Sequence, residues 1–313
     1  MKKLTAFLLV FTFAFTLAAE SYASPALGNN AGIRFIIEGN ATNPGEAVVI
    51  RAVNIPQNAK IQAETDIPFQ PMFFREALRE GQTVGDMVAI LPVSYSLKPG
   101  DYYITLTCED VARSFRIRAG EKEFSVQHLS LPRETADQTI LSQNANAEYE
   151  RYIAPVRRIS DSTQYWQGKF LWPLRNHRRI TTTFGAIRYV NSGSTPSRHG
   201  ALDIAAPAGT PVYASGAGRV VYAGYLQLTG NTIVIEHGYG LKTWYYHMNG
   251  LNVKTDEMAR RGQQIGTVGS TGFSTGPHLH FGMSVSNLNG HVFINPDTAI
   301  DTDLFNVMAR PST

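Results

Sequence analysis

Residues 270–282 read S-T-G-F-S-T-G-P-H-L-H-F-G. Gly272, Gly276 and Pro277 punctuate a loop, because glycine permits backbone angles that other residues avoid and proline fixes one. The chain then runs into His278, Leu279, His280 and Phe281, which reads as a strand. Side chains alternate across a strand, so His278 and His280 face one way and Leu279 faces the core. Two imidazoles on one face can share a metal, or one can bind it while its neighbour handles protons. An H-x-H pair gains weight only from further ligands elsewhere in the chain. A rival pattern overlaps it: residues 272–276, G-F-S-T-G, match the G-x-S-x-G nucleophile elbow. That elbow needs a strand before the serine and a helix after it. Here a proline and an expected strand follow Ser274, so the match is set aside.

The chain has 313 residues, 43% of them hydrophobic, which suits two modest globular domains. Its start combines the basic Met1-Lys2-Lys3 with an apolar Leu4–Ala19 and the small residues Ser21 and Ala23. That pattern predicts a secretory signal peptide over residues 1–23. As a helix, residues 4–19 would span only ~24 Å, short of a ~30 Å hydrocarbon core, which favours cleavage over anchoring. The expected destination is the periplasm or cell envelope, or secretion. Cys108 is the single cysteine, so no intramolecular disulfide forms, and it reads as a small buried apolar residue. Losing residues 1–23 removes Lys2, Lys3 and Glu20 from 28 basic and 25 acidic residues, leaving 26 and 24 and a net charge of +2. So small a charge argues against nucleic acid as a partner and against a strong membrane field.

Residues 24–128 read as a β domain. Ile33–Glu38, Ala47–Val53, Met87–Pro92, Tyr102–Cys108 and Ser114–Arg118 are β-branched and aromatic runs separated by turn signals, a spacing that suggests a small immunoglobulin-like sandwich. Residues 129–165 are polar with loose helical spacing and Pro155 as a breaker, which predicts a mostly helical connector. From residue 166 to 300 the texture is β again. Candidate strands are Phe170–Leu174, Arg179–Phe184, Ala217–Gly224, Thr232–His237, Lys242–His247, Gln264–Val268, His278–Val285 and Val292–Ile294. Gly238-Tyr239-Gly240 reads as a hairpin turn. No amphipathic helix alternates with these strands, so the sheet is expected to be antiparallel. Residues 301–313 form a tail. The fold class is therefore mostly β.

Upstream lies R-H-G-A-L-D-I-A-A-P, residues 198–207. A straight strand would hold His199 and Asp203 ~13 Å apart, so the chain must turn between them, and Gly200 is placed to allow it. His199, Asp203 and His280 together would make three protein ligands with one open position, as in catalytic zinc sites. A closed structural zinc site would typically draw on several cysteines, and this chain has one. His247 ends the expected strand 243–247 before Asn249-Gly250, and a histidine beside a metal can hold water or stabilise an oxyanion.

Four pieces carry a specific resemblance: H-G-A-L-D-I-A-A-P-A-G-T-P-V (199–212), G-N-T-I-V-I-E-H (230–237), W-Y-Y-H-M (244–248) and G-Q-Q-I-G-T-V-G-S-T-G-F-S-T-G-P-H-L-H-F (262–281). Residues 184–283 resemble the peptidase domain of the lysostaphin/LytM-type zinc metallopeptidases, which cut peptides of bacterial peptidoglycan. The resemblance implies one zinc per chain bound by His199, Asp203 and His280, with His278 and His247 catalytic. Which of those two is the general base stays open, as does the bond that is cut. The family usually has glycine two places after the first histidine; here Gly200 comes directly after it and Ala201 takes that place. Some relatives have lost ligands and only activate other wall hydrolases, so a non-enzymatic envelope regulator is the alternative. Retention of all five positions favours an enzyme acting on peptidoglycan, without stable membrane insertion after signal cleavage.

Overall fold

A computed structural model describes residues 32–38, 43–76, 83–175, 179–287 and 289–301. The signal peptide expected over residues 1–23 lies outside the described residues, as do residues 302–313 of the expected tail. Among the described residues no helix is long and apolar enough to cross a membrane.

The first seven strands are β1 (Arg34–Glu38), β2 (Ala47–Pro56), β3 (Gln62–Thr65), β4 (Phe74–Arg75), β5 (Val84–Pro92), β6 (Gly100–Cys108) and β7 (Val111–Ala119). They form two antiparallel sheets in the orders β1-β2-β5-β4 and β3-β6-β7. Lettered A to G along the chain, these are A-B-E-D and C-F-G, the strand order of constant-type immunoglobulin domains. Val48, Val49 and Ile50 of β2 are fully buried, and Cys108 is buried at the end of β6.

Next comes β8 (Val126–Leu129), then two helices, α1 (Arg133–Gln138) and α2 (Gln143–Arg157). Ser142 caps α2 by accepting a hydrogen bond from the Ala145 N–H at 3.2 Å. Pro155 does not break α2, contrary to expectation. It sits in the last turn, where its missing N–H costs a single helical bond. Residues 170–174 are not a strand either. Phe170 and Leu174 are buried core plugs on irregular backbone, so their apolarity reflects burial rather than a ladder.

The remaining elements are β9 (Arg179–Thr182), β10 (Ile187–Val190), β11 (Ser197–Arg198), β12 (Ala201–Ala205), β13 (Pro211–Tyr213), β14 (Gly218–Leu226), β15 (Gly230–Gly238), β16 (Leu241–Leu251), β17 (Met258–Ala259), β18 (Gln264–Val268), β19 (His278–Asn287), β20 (Gly290–Ile294) and α3 (Pro296–Asp301). The main sheet runs β17-β14-β15-β16-β19-β12-β9, with β18 pairing β16 and β13, and β20 pairing β19. Its pairings are antiparallel. β16 lies inside the sheet and residues 241–248 are buried on both faces, which is why K-T-W-Y-Y-H-M shows no alternation. β8 crosses the expected 128/129 boundary and pairs in parallel with β10, Gln127 opposite Arg188. That strand and the parallel pairing were not expected.

A buried ion pair closes the β15–β16 hairpin. Lys242 Nζ lies 2.8 Å from Glu236 Oε2, and both side chains are fully buried. Burial pushes the lysine down and the glutamate up from their ordinary values, and the pairing opposes both shifts. The pair also docks the chain before residue 166. Lys242 donates to the Ile159 carbonyl, and Glu236 Oε1 accepts from the Asp161 N–H at 3.2 Å. Removing one partner of such a pair strands the other charge. Lys242→Met is therefore expected to cost about 3–5 kcal/mol in urea unfolding, and the double variant Glu236→Gln/Lys242→Met clearly less than the sum of the two single changes.

Candidate metal centre

The register of β12 against β19 builds the centre: Asp203 lies opposite His280 and Ala205 opposite His278. Asp203 and His280 therefore share one face, while Leu279 is fully buried behind it. His199 reaches the same point from outside β12. Its backbone is fixed by hydrogen bonds from its N–H to the Ala186 carbonyl and from the Gly185 N–H to its own carbonyl, at 2.9 and 2.7 Å. Gly200 serves packing rather than a special turn. A Cβ there would lie 2.8 Å from the Phe293 ring, so only glycine lets that ring approach.

Three donor atoms meet. His199 Nε2 and His280 Nδ1 each lie 3.0 Å from Asp203 Oδ1, and 3.0 Å from each other. Tetrahedral zinc with bonds of about 2.0–2.1 Å would space its ligands roughly 3.3 Å apart, so the triangle has the right size. Protonation points the same way. His199 Nδ1 donates to the Thr183 carbonyl at 3.3 Å, which leaves a lone pair on Nε2 in the neutral ring. Burial pushes His199 down, and drives His280 down to about 4, so both rings are neutral near pH 7. A carboxylate and an imidazole lone pair thus face each other at 3.0 Å, an arrangement that a cation reconciles. The residues present fit zinc.

His278 and His247 stand beside this triangle. His278 Nε2 is 3.6 Å from Asp203 Oδ1, and its Nδ1 donates to the Gly276 carbonyl at 2.7 Å. His247 Nδ1 donates to the Thr271 carbonyl at 2.8 Å, and the two rings have centroids 4.9 Å apart. Each ring thus keeps Nε2 as its basic nitrogen. Burial first, then the neighbouring His278 and His280, pushes His247 well below its ordinary value. His247 does not end its strand as expected; β16 continues to Leu251, and His247 takes a left-handed φ of +62° within it. Such a conformation costs on the order of 1 kcal/mol and persists where neighbours over-determine it. Here the His247 N–H donates to the Thr229 carbonyl at 2.9 Å. The loop holding Thr271 is pressed in by close glycines: a Cβ on Gly272 would lie 2.3 Å from the Gly230 nitrogen.

Ser274 is followed by β19 rather than a helix, so the nucleophile elbow is absent. Its hydroxyl donates to the Gly276 carbonyl at 2.9 Å, and His278 Nδ1 is already engaged there. Two residues that sequence reading missed also reach the centre. Arg188 Nη2 bonds Asp203 Oδ2, and Gln127 lines the same cleft. Only the pairing of β8 with β10 marks them, and no local motif does.

Residues 197–296 match the family model described as Peptidase family M23. The cell division protein DipM of Caulobacter vibrioides is 42% identical over 118 residues, covering 37% of this chain and 18% of that protein. The peptidoglycan DD-endopeptidase ShyB of Vibrio cholerae is 40% identical over 112 residues, covering 33% of this chain and 26% of that protein. The chain thus matches a minor part of each of these curated relatives. Among solved structures, a Pseudomonas aeruginosa protein described as a peptidase M23 is 25% identical with a TM-score of 0.57, covering 85% of this chain and 97% of that one. Residues 197–296 of this chain thus correspond to a Peptidase family M23 domain.

Proposed function

We propose that this chain is an exported zinc-dependent endopeptidase that hydrolyses peptide bonds in peptidoglycan, with one zinc held by His199, Asp203 and His280. The observation that carries this reading is the set of three donor atoms 3.0 Å apart, with two further imidazoles alongside at the edge of an open cleft. The name of ShyB, a peptidoglycan DD-endopeptidase, supports the substrate class. When bound, zinc supplies a Lewis acid for the scissile carbonyl and lowers the pKa of attacking water.

The chain's own residues do the rest. His247 and His278 each fix their Nδ1 proton on a backbone carbonyl, so each presents Nε2 as a lone pair that can take a proton from water. Once protonated, the same nitrogen can return that proton to the leaving amine or stabilise the oxyanion. The stacked ring of Tyr246, 4.9 Å from His280, keeps that imidazole from rotating away from Asp203. Retention of all five positions favours an enzyme over a regulator that only activates other hydrolases.

The purified protein is expected to carry about one zinc per chain and His280→Ala to lose most of it; equal zinc content in the two would sink the ligand assignment. His278→Ala should keep its zinc yet lose on the order of 100-fold or more in turnover on purified cell wall, read by mass analysis of the released muropeptides. Asp203→Ala should lose zinc and turnover together, whereas Ser274→Ala should change little. Wild-type cleavage that survives both chelation and His278→Ala would refute the mechanism, and a zinc-loaded wild type that releases nothing would favour the regulator.

A further inference from the structure

Asp203 uses its two oxygens differently. Oδ1 faces His199, His280 and His278, while Oδ2 is bonded by Arg188 Nη2. Arg188 is itself held, since its Nε donates to Gln127 Oε1 at 3.2 Å. Gln127 Nε2 in turn donates to Thr182 Oγ1 at 3.1 Å. Thr182 sits opposite Asp203 in the β9–β12 register, and Thr181 Oγ1 donates to the Asp203 carbonyl at 3.2 Å. The bonds run from the Asp203 carboxylate through β10 and β8 to Thr182 of β9, whose chain neighbour Thr181 bonds back to the Asp203 backbone carbonyl. Gln127 lies 61 residues before Arg188, across the expected domain boundary, and reaches it because β8 and β10 pair in parallel.

We propose that Arg188 and Gln127 are positioning residues of the metal centre: Arg188 holds Asp203 with one oxygen turned to the metal, and Gln127 holds Arg188. The inference rests on the zinc reading above and deepens it. A carboxylate free to rotate would offer either oxygen or both, whereas a planar guanidinium anchored at its Nε fixes one oxygen and leaves the other for the ligand set. Partners that orient a metal ligand govern affinity although they never touch the metal. The strand before the helical connector is therefore part of the centre, and a fragment beginning at residue 166 lacks it.

The test measures zinc affinity of the full chain by competition with a chromophoric chelator. Arg188→Met is expected to weaken zinc binding about 10–100-fold, and Gln127→Leu by a smaller factor of about 3–10, the range for partners behind a metal ligand. In the Arg188→Met background, Gln127→Leu should make no further difference, because it acts through the arginine. On a soluble stem peptide the zinc-saturated variants should lose kcat with KM near wild type, and their circular dichroism and melting should show native folds. Wild-type affinity in both folded variants overturns the inference, and so do independent, multiplying losses in the double variant. If the wild type binds no stoichiometric zinc, the centre itself falls and this inference with it; if it binds zinc and the variants match it, only this inference falls.

Discussion

The register of β12 on β19 is the constraint on which the site depends. Asp203 faces His280 directly across the pair, and His278 follows two residues away on the same face. A slip of one residue would bring Leu279 to the carboxylate and turn both histidines into the core. The neighbouring pair β16–β19 fixes the same strand from its other side, with Tyr246 opposite His280 and the two rings stacked. The polar centre is thus held by an apolar sheet, whose fully buried Leu279, Phe281 and Tyr245 leave the register no alternative of similar stability.

The interior shows what separates a structural histidine from a ligand. His237 is fully buried, and both its nitrogens are engaged, Nδ1 with the Ala217 carbonyl and Nε2 with Thr243 Oγ1, each at 2.8 Å. Burial drives it down to about 4, so it stays neutral, with no lone pair to offer. At the centre the satisfied nitrogens point outward to Thr183, Thr271 and Gly276, and the unsatisfied ones point inward. Burial lowers basicity at both places; the direction of the spare lone pair decides which can hold a metal.

The N-terminal sheets are joined to the M23 domain by packing as well as by chain. Phe184 approaches Gly45 so closely that a Cβ there would lie 2.4 Å from its ring, and Phe124 fills the space a side chain on Gly185 would need. Phe74 stacks on Tyr239 with centroids 5.0 Å apart, and Arg198 lies over the rings of both Tyr95 and Phe124. Phe124, packed on Gly185 and under Arg198, leads directly into β8, which pairs with β10 and carries Gln127 and Leu129 to the side of the cleft.

The sequence alone determined the class of fold and pointed to the three residues, His199, Asp203 and His280, that the structure brings together. Strand alternation, the Gly238-Tyr239-Gly240 hairpin and the chemistry of His199, Asp203, His278 and His280 are local patterns that a single chain displays. Its local reading failed where burial imitates a strand, at Phe170–Leu174, and where neighbours impose backbone geometry, at His247 with its left-handed φ and at Pro155 within α2. Arg188 and Gln127 were illegible for a different reason. Each is an ordinary polar residue in a short strand, and their relation to Asp203 exists only because β8, β10, β9 and β12 lie side by side. Only the tertiary structure decided that, since pairing between distant strands is set by the packing of the whole core and not by the residues that flank each one.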